Sequence, residues 1–176
     1  MPACCLIDTG RYGTDYWGRA AVSFIGLGAN LREDAVYYAH WNLRGSYSLR
    51  LRPPPPCRAF WSVTLVDEEG FLSHNAWDIH AVSSVRALSS AAVTSLSTVP
   101  GTHGITPKDA TAQEMEMGDV RVLISGSPPD EPWLREANWL PTPSDGSSYK
   151  LMLRVYWPEA AVLDGSWVAP ALERAF

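Results

Sequence analysis

Tyr149-Lys150-Leu151-Met152-Leu153-Arg154-Val155-Tyr156-Trp157 is the stretch that decides the fold class. Tyr149, Leu151, Leu153, Val155 and Trp157 fall on one side of an extended chain. Lys150, Met152, Arg154 and Tyr156 fall on the other, which is the period of a half-buried strand. Pro158 closes it, because proline has no N–H to give to a ladder. Working outward, the same period recurs at Tyr47, Leu49 and Leu51, which alternate with Ser48, Arg50 and Arg52. Pro53 to Pro56 end that strand. Ala59–Val66 reads as a strand, Asp67-Glu68-Glu69-Gly70 as a hairpin loop with glycine supplying a positive φ, and Phe71–Trp77 as the returning strand. Val120–Ser125 is a further strand. Short strands separated by dense turns predict a mostly β protein, a jelly-roll-like antiparallel β-sandwich.

Before Gly45 the pattern is helical. Tyr16, Ala20, Phe24, Leu27 and Leu31 recur every three or four residues, and Thr14 or Asp15 is placed to cap the start. Ala35–His40 reads as a short continuation of helix. The expected organisation is an N-terminal helical segment and linker over 1–44, packed on a β-sandwich over 45–176. Asp109–Met117 is expected to add a helical turn.

Composition narrows the function classes. The 176 residues carry 14 Lys+Arg against 19 Asp+Glu, a net charge of −5, which argues against a partner bound through bulk positive charge, so no nucleic acid is expected. No apolar run approaches the ~20 residues of a membrane span. Cys4, Cys5 and Cys57 have neither disulfide parity nor metal-ligand spacing. The start lacks a basic and then apolar leader, so a reducing compartment, cytoplasmic by default, is expected; the abrupt opening suggests a segment upstream.

Three groups of motifs resemble a known family. They are Tyr12-Gly13-x-Asp15-Tyr16-x-x-Arg19-Ala20 with Gly26-Leu27-Gly28-Ala29-Asn30 and Ala35-Val36-Tyr37; Ala59-Phe60-Trp61-Ser62-Val63-Thr64-Leu65 before the acidic hairpin; and Asn138-Trp139-Leu140-Pro141-x-Pro143 with Leu153-Arg154-x-Tyr156-x-Pro158 and Gly165-x-Trp167-x-x-Pro170. This set is similar to the family known as domain of unknown function 1214, which usually follows a domain of the 1254 type. The resemblance implies a jelly-roll sandwich and an upstream 1254-type partner or self-association, with contacts expected through the 14–39 helix and Trp41. It fixes no biochemical role, although hydrolase-like descriptions attach to the family. The sequence differs from the pattern in lacking a 1254-type segment, in a short linker after Tyr38, and in Met117-Gly118-Asp119 ahead of Val120.

Few residues carry chemistry. His74, Asp78 and His80 share parity, but strand residues four apart lie ~13 Å from one another, so no metal is expected. Ser62 has no nucleophile elbow, and Cys57 has only Arg58 nearby to stabilise a thiolate. Asp67, Glu68 and Glu69 read as solvated loop charge. Eight tryptophans against four phenylalanines are more telling, because each indole N–H needs a partner when buried. Trp61, Asn138, Trp139, Arg154 and Tyr156 are therefore the expected ligand-binding residues. Aromatic faces would supply contact area, and Arg154 and Asn138 directional hydrogen bonds. The competing reading makes Asn138-Trp139-Leu140-Pro141 a structural corner. The expected function is a ligand- or partner-binding module with no cofactor and an unknown small ligand. The alternative is a hydrolase-type enzyme with a site in a sheet cleft that needs a second domain.

Overall fold

A computed structural model describes residues 13–25, 30–86 and 119–175. The chain order is α1 (Tyr16–Ile25), β1 (Ala35–Leu43), β2 (Tyr47–Leu51), β3 (Trp61–Val66), β4 (Ala81–Ser83), β5 (Val120–Ser125), α2 (Pro132–Ala137), β6 (Trp139–Pro141), β7 (Tyr149–Tyr156), α3 (Ala160–Leu163) and β8 (Leu172–Arg174). The strands form two four-stranded sheets. Sheet one runs β1-β7-β3-β4 and sheet two runs β6-β5-β2-β8. All pairings are antiparallel except β5 with β6, which α2 joins as a parallel pair.

The two sheets face each other across an apolar core, so the fold is a β-sandwich. Leu151, Leu153 and Val155 of β7 and Trp61, Val63 and Leu65 of β3 meet Leu49, Leu51, Val120, Val122 and Ile124 of sheet two. The alternation expected of β7 holds from Tyr149 to Tyr156, buried on odd residues and half-buried on even ones. It fails at Trp157, which takes φ 51° and is exposed. A bulky residue in the left-handed region is uncommon, and here it turns the chain out of the sheet. Trp157 N–H donates to the Asp34 carbonyl at 2.7 Å, and its own carbonyl accepts from Arg58 N–H at 2.8 Å. Trp167 is the indole that enters the core instead, edge-on to Tyr38 and donating Nε1–H to the Pro53 carbonyl at 3.0 Å.

Three expectations are corrected. Ala35–His40 is strand, and the sandwich begins at Ala35 instead of Gly45. Seven residues of β1 pair with β7, and Val36 and Tyr38 point into the core. The short apolar run fits either period, and its aromatic, β-forming residues find a partner strand only in three dimensions. Phe71–Trp77 is not a strand. The Asp67–Gly70 turn forms as expected, with Asp67 Oδ1 accepting from the N–H groups of Glu69, Gly70 and Phe71, and Gly70 at φ 97°. Beyond one bridge at Leu72, however, the buried Asn75 side chain takes over the backbone bonding. Its amide donates to the Ile79 carbonyl, and its Oδ1 accepts from Trp77 and Ile79 N–H. Such local side-chain bonds replace a ladder, and Ala81–Ser83 pairs with β3 in its stead.

The third is the covering of the N-terminal helix, which itself forms within the expected segment at Tyr16–Ile25. Asp15 caps it, accepting from Gly18 N–H at 2.9 Å, but Tyr16 and Ala20 of its apolar stripe are exposed. A periodic stripe states which face is apolar, not what covers it. The expected turn at Asp109–Met117 lies outside the described residues. No described helix is long and apolar enough to cross a membrane.

Candidate functional site

The five residues expected to share a site do not share one. Trp61 lies opposite Val155, while Ser62 lies opposite Arg154. Trp61 therefore points into the core and is buried, whereas Arg154 and Tyr156 point out of the same sheet. Trp139 opens β6 of sheet two, and Asn138 caps the end of α2 just before it. Asn138 is wholly buried; its amide donates to the Arg121 carbonyl at 2.9 Å, and its own carbonyl accepts from Leu123 N–H. Trp139 donates Nε1–H to Ser125 Oγ at 3.0 Å and meets Trp77 edge-on at 5.0 Å. The Asn138 bonds tie the bend between α2 and β6 to β5, and Trp139 packs beside it against Trp77.

Arg154 and Tyr156 do come together, on the outer face of sheet one. Pairing brings Tyr37 of β1 beside Arg154 on one flank and Ser62 of β3 beside it on the other. Arg154 Nη1 donates to Thr64 Oγ1 at 2.7 Å. Tyr156 stacks on Phe60 with ring centroids 4.6 Å apart. Tyr37 OH accepts from Asn30 Nδ2 at 2.8 Å, and burial pushes the phenol above its ordinary value. Among the described residues no carboxylate forms an ion pair with Arg154, which is half-buried. The face thus offers a cation with donors to spare, the hydroxyl groups of Tyr37, Ser62, Thr64 and Tyr156, and aromatic surface. Tyr37, Phe60 and Thr64 fall within the family motifs but were not among the expected site residues. Only the strand register makes them neighbours of Arg154.

The family model described as "Protein of unknown function (DUF1214)" matches residues 37–160. The chain belongs to this family. The match opens inside β1 and closes at the start of α3, so the DUF1214 region holds most of β1, all of β2 to β7 and the whole Arg154 face. No curated protein matches the chain. Among solved structures, the VPA0106 protein from Vibrio parahaemolyticus is similar, with a TM-score of 0.61 at 15% identity. The similarity covers 90% of this chain and 35% of that one, and at such identity it speaks to the fold alone. The DUF1214 chain therefore spans about a third of its solved neighbour.

The other chemistry-bearing residues of the DUF1214 domain lie apart from Arg154. His80 and Asp78 form a pair at 3.0 Å, Asn75 approaches the other imidazole nitrogen at 3.4 Å, and His74 is exposed. With both ring nitrogens of His80 engaged, the trio does not converge, and no metal-holding group occurs among the described residues. Burial, with a smaller contribution from Glu159, pushes the Cys57 thiol up to about 11, the opposite of what a nucleophile needs. Glu68 leaves its loop to meet Ser148, while its carbonyl accepts from Lys150, whose ammonium lies 4.8 Å from the Trp41 ring.

Proposed function

We propose that this DUF1214 domain is a binding module of jelly-roll type that takes a small anionic ligand on the outer face of sheet one. Arg154 carries the reading. A half-buried arginine with no carboxylate partner among the described residues has most of its five donors available to a carboxylate fork. The stacked Phe60 and Tyr156 rings favour a ligand whose anionic group sits on a flat apolar body. Catalysis by this chain alone has less support: Ser62 shares the face without an imidazole beside it, and the Cys57 thiol is held protonated. The reading includes a docked 1254-type domain or a second copy of the chain, supported by the exposed Trp17 of α1 and Trp41 of β1, and a reducing compartment, supported by the free Cys57.

Benzoate is the test probe, titrated by calorimetry into the full chain and into Arg154→Gln. Saturable binding that weakens roughly tenfold or more in the variant, with its denaturation midpoint retained, is expected. Equal affinity in both proteins, or no binding to the unaltered chain, overturns the reading.

A further inference from the structure

The outer face of sheet two carries a second set of arginines with a different geometry. β2 and β5 run antiparallel with Arg50 directly opposite Arg121, and Ser48 opposite Leu123. One rung further out on the same face, Arg52 and Asp119 form an ion pair. That carboxylate is held below its ordinary range by the hydrogen bond from Arg52. The sheet thus matches opposite charges at one rung and sets like charges against each other at the next. Like charges directly opposite one another destabilise a strand pair. Arg121 spends its Nε on Ser48 Oγ, at 3.3 Å, and among the described residues no side chain accepts a hydrogen bond from Arg50, whose charge is felt by Asp119 one rung away.

These two arginines open onto a groove of about 530 Å³, to which Arg174 adds a third guanidinium. Asp130, Glu131 and Glu173 also line it, yet none lies within ion-pair distance of the three arginines. The groove's carboxylates match its three arginines in number without forming an ion pair with either member of the Arg50–Arg121 rung. That arrangement disfavours a polyanion and favours a small ligand carrying one oxyanion.

We infer that the Arg50–Arg121 rung is an oxyanion-binding site, distinct from the Arg154 face, that takes the carboxylate or phosphate of a small molecule. Two planar guanidiniums borne on one rung suit either group through their N–H donors. A bound oxyanion also removes the repulsion across the rung, so binding and strand pairing reinforce each other.

The test uses the full chain in three forms, unaltered, Arg50→Gln and Arg154→Gln, titrated with inorganic phosphate and with succinate at constant ionic strength. Amide chemical shifts of β2 and β5 are the readout. Saturable shifts with a Kd on the order of 1 mM are expected for at least one probe. They weaken roughly tenfold in Arg50→Gln and persist in Arg154→Gln. The probe that binds identifies the oxyanion class. Absence of saturable shifts with both probes, or an unchanged Kd in Arg50→Gln, overturns the inference. Loss of the shifts in Arg154→Gln alone also overturns it, by placing the anion on the other sheet.

Discussion

Replacing Leu153 by alanine probes the element on which both sheets depend. Leu153 sits mid-way along β7, paired with Tyr38 on one side and Val63 on the other, and is 5% exposed. The substitution removes three carbons, which at about 0.8 kcal/mol each sets a floor near 2.4 kcal/mol. A cavity term adds to this wherever the surroundings cannot close in, and measured Leu→Ala losses reach about 5 kcal/mol. Here β1 and β3 hold β7 on both edges, and the core residues of sheet two stand opposite. Collapse is restricted, so a loss of about 3–4 kcal/mol is expected. Urea denaturation is the assay, with the m-value checked so that the midpoint reports stability. Met152→Ala is the control, one residue along and on the half-buried outer face, and should cost about 1 kcal/mol or less. A Leu153→Ala midpoint within error of the unaltered chain, or an equal loss from Met152→Ala, would refute the assignment of faces.

Three further outcomes are expected. Burial lowers the His40 imidazole below its ordinary 6.5 and leaves its Nδ1 without a hydrogen-bond partner. As pH falls below that ordinary value the unfolded chain takes the proton first, so stability present above about pH 6.5 is lost on acidification through the lower folded value. His40→Gln should show a smaller drop in denaturation midpoint over that window, and an identical drop would exclude His40 as the source. In a Cys4→Ser/Cys5→Ser background, Cys57 at about 11 against an ordinary 9.0 should expose about a hundredfold less thiolate at neutral pH than in the unfolded chain. Iodoacetamide alkylation as fast in the folded as in the unfolded protein would contradict this. Tyr149 OH donates to the Gly45 carbonyl at 2.7 Å beneath the β1–β2 turn, so Tyr149→Phe should cost about 1–2 kcal/mol by thermal denaturation.

Period two in Tyr149–Tyr156 and Tyr47–Leu51 was enough to make the protein mostly β and to pick the buried face of β7, because alternation across a strand is a local property of the backbone. The Asp67–Gly70 turn and the Asp15 cap were legible for the same reason: each is closed by bonds within four residues. What the sequence left open depends on partners distant along the chain. Ala35–His40 became strand because β7 lies beside it. Trp157 left the core because Asp34 and Arg58 bind its backbone, and Trp167 took a core place by reaching Pro53. The candidate site divides along the same line. Arg154 and Tyr156 were readable as a shared face from their spacing of two. Their company of Tyr37, Thr64 and Phe60, the exclusion of Trp61 to the opposite side, and the Arg50–Arg121 rung all follow from strand register. A shift of one residue in pairing would exchange every inward and outward side chain, and that choice is made only when two sheets bury their apolar faces against each other.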